Sequence, residues 1–132
     1  FYDDYAHHPT EIKVVLEGVN KVYNGYDKVC IFQPHRISRL KDLRKEFSFA
    51  FQKADIVVLC PVYTAGEKIK LGFSYLNFAK EIIKNSKVRL FLVNDNNQLA
   101  IFLKKNMYGK KIVIGMGAGS ISNWMRELPK LM

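Results

Sequence analysis

Arg36 and Arg39 stand three residues apart in Gln33-Pro34-His35-Arg36-Ile37-Ser38-Arg39, with the imidazole of His35 beside them. Guanidinium groups bind carboxylates and phosphates through paired N–H donors, and a helix starting just after them adds positive potential. The stretch can therefore hold a carboxylate or a phosphate. A solvated basic helix cap would use the same residues, and spacing alone does not separate the two. A second cluster opens the chain, Asp3-Asp4-Tyr5-Ala6-His7-His8-Pro9-Thr10-Glu11, with two acids, a phenol and two imidazoles. Pro9 suits the first position of a helix and Glu11 suits its first turn. His7 and His8 thus fall just ahead of a helix N-terminus, where free backbone N–H groups attract anions.

Other stretches offer less. Gly115-Met116-Gly117-Ala118-Gly119 has the composition of a phosphate-cradling loop. A dinucleotide fingerprint, however, follows the first strand of its unit and has an acid about 20 residues further on. Here the glycines follow the last strand, so the expected role is a tight strand-to-helix turn with close backbone approach. No G-x-x-x-x-G-K-[ST] is present, so the chain carries no phosphate loop for ATP hydrolysis. The adjacent imidazoles of His7 and His8 point in different directions and have no second pair at ligand spacing, so no metal site is expected. Cys30 and Cys60 are isolated within apolar runs and read as reduced core thiols, not nucleophiles.

The elements that must position these residues alternate in type. Ile12, Val15, Leu16, Val19 and Tyr23 recur at helical spacing, predicting a helix from about Pro9 to Tyr23 that ends at Asn24-Gly25. Val29–Phe32, Ile56–Cys60, Val88–Val93 and Ile112–Ile114 are short apolar runs of the kind that form buried strands. Helices are expected from about Ser38, with Leu40, Leu43, Phe47 and Phe51 on one face; from Ser74 to Lys84; after Asp95; and over Ile121–Leu128. A helix followed by four strand–helix units implies an α/β fold: a Rossmann-like three-layer αβα domain with a mainly parallel, doubly wound sheet. Ligands of such sheets bind beyond the carboxyl ends of the strands. The His35–Arg39 loop, the Tyr63–Glu67 loop and the glycine loop all belong to that edge.

Composition sets outer bounds. A chain of 132 residues fits one domain with a real core. No apolar run approaches the roughly 18 residues that span a bilayer, so neither a membrane segment nor a membrane partner is expected. The formal charge of +9 admits nucleic acid or a phosphorylated ligand. Yet the lysines are scattered over every predicted helix and do not alternate with aromatic residues as in a single-strand platform. A basic nucleic-acid-binding α/β module is therefore an alternative, and a receiver-like signalling domain a weaker one. For the latter, Asp55 precedes its strand and Asp95 opens a helix, so neither sits where a phosphoacceptor should. The chain lacks an initiator Met and begins inside a motif, as an excised piece of a longer protein would.

With these residues in view, Asp3–Ile12 resembles the opening of the C-terminal domain of the Mur ligases, which build the peptide of bacterial peptidoglycan. Gln33-Pro34-His35-Arg36 with Arg39, Tyr63-Thr64-Ala65-Gly66-Glu67, and Gly117-Ala118-Gly119 with Ile121 resemble the branch that joins L-alanine to UDP-N-acetylmuramate. The related muropeptide-recycling branch shares the opening but is expected to differ at Gln33–Arg36. The resemblance covers essentially the whole chain. It departs from the usual pattern at Pro61, at Ser120 and around Lys68–Phe73. It implies a three-domain cytoplasmic enzyme of which residues 1–132 are the C-terminal domain. The N-terminal UDP-sugar domain and the central domain, which binds most of the ATP and Mg2+, would lie outside this chain. By the same resemblance Asp4 and Tyr5 would contact ATP and His7 would lie at the reacting centre. His35, Arg36 and Arg39 would hold L-alanine, and Tyr63 and Glu67 would help to position these groups. The chain alone would be inactive.

Overall fold

The computed structural model describes residues 2–63, 74–106 and 108–132. Among them, five strands form one sheet in the order β1-β5-β2-β3-β4, and every neighbouring pair is parallel. The strands are β1 (Tyr2–Asp4), β2 (Asp27–Phe32), β3 (Ile56–Leu59), β4 (Arg89–Leu92) and β5 (Lys111–Met116). The helices are α1 (Pro9–Val22), α2 (Ile37–Asp42), α3 (Arg44–Ser48), α4 (Tyr75–Ser86), α5 (Asn96–Asn106) and α6 (Ile121–Leu131).

Side chains alternate across a strand, so the apolar runs divide into two cores. Cys30, Phe32, Val57 and Leu59 meet Ile12 and Leu16 of α1, Leu40 and Phe47 of α2 and α3, and Phe78 and Ile82 of α4. Phe32 is the hub, with ring centroids 5.6 Å from Phe47 and 5.3 Å from Phe51. On the other face Val29, Ile31, Val58 and Val113 meet Leu99 and Leu103 of α5 and Ile121, Met125 and Leu128 of α6. Helices therefore cover both faces, and the expected three-layer αβα architecture is present. The central strands are covered on both sides, whereas β4 at the edge has Phe91 and Leu92 exposed.

The sheet register lines up the strand ends. Met116 is level with Asp4 and Phe32, Phe32 with Leu59, and Leu59 with Leu92. Every segment that leaves a carboxyl end thus emerges on one rim. β2 and β5 are neighbours whose following helices pack on opposite faces, which makes the gap between them the topological switch point.

Four details differ from the sequence-based expectation. Tyr2–Asp4 is an edge strand paired with Ile114–Met116, which no apolar run announces. The single helix expected after Ser38 is two, α2 and α3, interrupted at Leu43, whose ψ of 20° leaves the helical region. Phe51 lies beyond both, yet stays buried. The strand expected over Val88–Val93 is the shorter, partly exposed β4. Gly115 lies within β5, so the turn begins at Gly117. Both acids weighed for a phosphoacceptor have structural work. Asp55 accepts the Lys28 N–H at 2.7 Å, and Asp95 caps α5 by accepting the Gln98 N–H at 2.8 Å.

Candidate functional site

The rim carries a continuous run of rings. Tyr5 meets His7 edge-on at 5.6 Å between centroids, His7 meets His35 edge-on at 6.1 Å, and His35 stacks on Tyr63 at 5.5 Å with 21° between planes. These residues come from three segments, after β1, β2 and β3, and meet because those strands end level.

His7 is held from its own turn. Its Nδ1 lies 2.9 Å from the carbonyl oxygen of Tyr5. A carbonyl only accepts, so Nδ1 carries the proton and Nε2 presents a lone pair in the neutral ring. His8 is the N-cap of α1, its Nδ1 accepting the Thr10 N–H at 3.2 Å. The Glu11 carboxylate reaches back to the N–H groups of His8 at 3.0 Å and His7 at 3.4 Å, completing a capping box. Slight burial works to raise the Glu11 pKa, but these N–H groups outweigh it and hold the carboxyl below its ordinary value. The α1 N-terminus is therefore closed by its own side chains. The anion attraction expected from free N–H groups there is corrected: those of His7, His8 and Thr10 are already taken.

The segment after β2 carries the cations. An isolated parallel bridge joins His35 to Tyr63. The Arg36 N–H donates to the Tyr63 carbonyl at 2.7 Å, and the Tyr63 N–H to the Pro34 carbonyl at 2.8 Å. Arg36 adopts φ 67° and ψ 133°, a conformation that a side chain disfavours by about 1–3 kcal/mol. It turns the chain from the rim into α2. Arg36 and Arg39 then flank an open cavity of about 380 Å3, completed by Ser38, Asp42 and Leu43. Nη1 of Arg39 is buried and has no hydrogen-bond partner among the described residues. A buried, unsatisfied guanidinium nitrogen costs free energy until an anion meets it.

The glycine loop closes the far side. The buried Gln33 amide donates to Ser120 Oγ at 2.9 Å and accepts the Ile121 N–H at 2.9 Å, tying the end of β2 to the start of α6. Gly117 has φ 152°, and a Cβ there would lie 2.9 Å from the Gln33 carbonyl oxygen. A Cβ on Gly119 would lie 2.5 Å from Cγ of Tyr63. The expectation of close backbone approach therefore holds, at Gly117 and Gly119.

Of the residues singled out from sequence, Tyr5, His7, His35 and Tyr63 are brought together, and Arg36 and Arg39 line the adjoining cavity. Asp4 is partly committed: one carboxylate oxygen accepts the Ala6 N–H at 2.9 Å. Tyr5 is 68% exposed, so solvent and a ligand can reach it. Glu67 lies outside the described residues. Sequence reasoning placed no role on Gln33 beyond its motif; a lone buried amide between an apolar strand and a loop was the available signal. Both thiols are buried and free. Burial pushes Cys60 up to about 12 and Cys30 upward as well, so neither is a nucleophile.

With this geometry in place, comparison with known proteins decides the lineage. Residues 1–119 match the family described as "Mur ligase, glutamate ligase domain". The chain belongs to the Mur ligase family. A UDP-N-acetylmuramate–L-alanine ligase of Pelagibacter ubique (strain HTCC1062) is 70% identical over the whole chain. Ligases of the same name from Bartonella bacilliformis and Protochlamydia amoebophila are 37% and 36% identical over 98% and 100% of it. The chain spans only 27–29% of the length of these Mur relatives. Among solved structures, a murein peptide ligase of Psychrobacter arcticus 273-4 aligns at TM-score 0.73 with 15% identity, over 97% of this chain and 26% of its own. A domain assigned to a UDP-N-acetylmuramate:L-alanyl-gamma-D-glutamyl-meso-diaminopimelate ligase of Haemophilus ducreyi aligns at TM-score 0.68 with 17% identity, over 98% of this chain and 89% of its own. At such identities the two structures support the fold. Membership of the Mur family displaces the nucleic-acid and receiver alternatives.

Proposed function

We propose that this chain is the C-terminal, amino-acid-holding domain of an ATP-dependent ligase that joins L-alanine to UDP-N-acetylmuramate in cytoplasmic peptidoglycan precursor synthesis. The observation that carries the reading is 70% identity, from end to end, to a ligase of that name. The rim supports it separately, since it offers guanidinium groups for a carboxylate beside an imidazole lone pair for an amine. Residues 1–132 would form one domain, behind an N-terminal UDP-sugar domain and a central ATPase domain.

In such a reaction an oxygen of the lactyl carboxylate attacks the γ-phosphorus of ATP, and ADP leaves. The alanine nitrogen then attacks the acyl carbon, the tetrahedral adduct expels phosphate, and the nitrogen loses its remaining surplus proton. Arg39, with Arg36, would grip the alanine carboxylate, and the unsatisfied Nη1 of Arg39 fits that task. His35 would border the same pocket. His7 Nε2 would face the amino group, where its lone pair can take a proton from the incoming ammonium. Fixing the amine beside the activated carboxyl supplies proximity, worth roughly 7–11 kcal/mol in well-oriented systems. Tyr5 would lie against the nucleoside of ATP, and the other carboxylate oxygen of Asp4 would accept from its ribose. By the family resemblance, magnesium would sit with the ATP phosphates in the central domain.

The test is twofold. The codons upstream of Phe1 should encode a G-x-x-x-x-G-K-[ST] loop. The full-length protein should release phosphate from ATP only with both UDP-N-acetylmuramate and L-alanine present, and this chain alone should release none. Phosphate release that ignores L-alanine but responds to a muropeptide would instead assign the recycling activity.

A further inference from the structure

The loop bearing His35 is braced by a closed circuit of contacts, and one member of that circuit has no side chain. From the end of β2, Gln33 reaches across to Ser120 Oγ and the Ile121 N–H, which fixes the residues just after Gly119. Gly119 lies against the Tyr63 ring: a Cβ there would come within 2.5 Å of Tyr63 Cγ and 2.8 Å of both Cβ and Cδ1. Real Cβ atoms do not approach so closely, and the atoms in the way belong to the root of the side chain, not to a flexible tip. The Tyr63 ring in turn stacks on His35 at 5.5 Å between centroids. The return path is the backbone, through Arg36 N–H to Tyr63 O at 2.7 Å and Tyr63 N–H to Pro34 O at 2.8 Å. Tyr63 cannot back away by sliding along its strand end without breaking both bonds.

We infer that Gly119 is a positioning residue for the amino-acid pocket, setting the location of His35 through the ring of Tyr63. The inference rests on the proposed ligase reading for its kinetic consequence and on geometry alone for its structural one. Gly119 touches no substrate in this scheme. Its missing side chain leaves room for the Tyr63 ring against the glycine loop, and an added methyl displaces the ring on which His35 stacks. Because His7 meets His35 edge-on at 6.1 Å, the displacement reaches the imidazole that faces the amine.

The experiment is a double-mutant cycle in the full-length enzyme with Gly119→Ala, Tyr63→Ala and the pair, reading half-saturation for L-alanine, ATP and UDP-N-acetylmuramate separately. Gly119→Ala is expected to raise the alanine requirement about tenfold and to move the other two less than about twofold. With Tyr63→Ala already present, Gly119→Ala should add less than about twofold, since no ring remains to carry a shift to His35. Equal loss for all three substrates, or additive effects in the pair, would overturn the inference. If Gly119→Ala fails to fold, a selective rise in alanine requirement in Tyr63→Ala alone supports the Tyr63–His35 contact, and its absence refutes it. A readout independent of turnover separates the two claims. In the histidine-labelled protein, Gly119→Ala should shift the His35 ring resonances while leaving those of His8, which caps α1, unmoved. Wild-type enzyme with no alanine-dependent turnover would sink the ligase reading alone; unmoved His35 resonances would sink the positioning claim alone.

Discussion

A backbone carbonyl decides what His7 can offer. With Nδ1 committed to the Tyr5 carbonyl, only Nε2 is left for a substrate. Its neighbour His8, one residue on, spends its own Nδ1 on the Thr10 N–H. Two adjacent imidazoles thus divide into one that caps a helix and one that faces the rim. Glu11 supports both from the first turn, and this gives a pH signature. Its folded pKa lies below the ordinary 4.5, so its contribution is complete above that value and is lost as pH falls through the folded one. Urea midpoints of wild type and Glu11→Gln should differ at about pH 7 and converge in acid as pH falls through the lowered folded pKa. A gap that persists in acid would mean that the capping carboxylate contributes nothing through its charge. The thiols give a second check at this scale. Burial raises Cys60 to about 12 and raises Cys30 too, so a thiol reagent at about pH 8 should label neither until the protein is unfolded.

Elements are fixed by packing more than by length. α2 and α3 are short helices broken at Leu43, yet Leu40 and Phe47 still reach the same core, because a one-residue break preserves the apolar face. Phe47→Ala is expected to cost about 3–5 kcal/mol by denaturant unfolding, since its ring sits among Phe32 and Phe78. Gly115→Ala is expected to cost about 1–3 kcal/mol, because the new methyl would lie 2.5 Å from Met125 Cγ where α6 crosses β5. Unchanged stability there would show that Met125 re-packs freely. The buried central strands were legible in the chain, since Val29–Phe32, Ile56–Cys60 and Ile112–Ile114 are continuous apolar runs. β1 was not, because Tyr2–Asp4 takes its conformation from pairing with β5 and carries no pattern of its own. The helix break was hidden for the opposite reason: the periodicity of Leu40, Leu43 and Phe47 continues across it.

At the scale of the whole molecule, parallel strands of matched register deliver all their carboxyl ends to one rim, and this is what turns distant motifs into one site. The gathering of His7, His35, Arg36 and Arg39 follows from that topology, which strand–helix alternation already implied. The ring stack through Tyr63 to Gly119 does not follow from it, because side-chain contact between two loops depends on distances that no spacing encodes. The net charge of +9 needs no polyanion, since the Lys side chains are dispersed over the helices. Titration with a generic DNA duplex at about 150 mM salt should give no saturable binding, because a charge spread of this kind releases too few counterions at one footprint. Saturable binding there would reopen the nucleic-acid reading.

The most direct measurement is the half-saturating concentration of L-alanine for phosphate release by the full-length enzyme carrying Arg36→Ala, Arg39→Ala or Arg39→Lys. A guanidinium–carboxylate bond is worth about 1.5–3 kcal/mol, so each alanine variant is expected to raise it roughly 10- to 150-fold with the ATP requirement unmoved. Arg39→Lys should recover only part of the loss, because an ammonium cannot form the paired contact. An alanine requirement unchanged in both Arg36→Ala and Arg39→Ala would contradict the assignment of this rim as the amino-acid site.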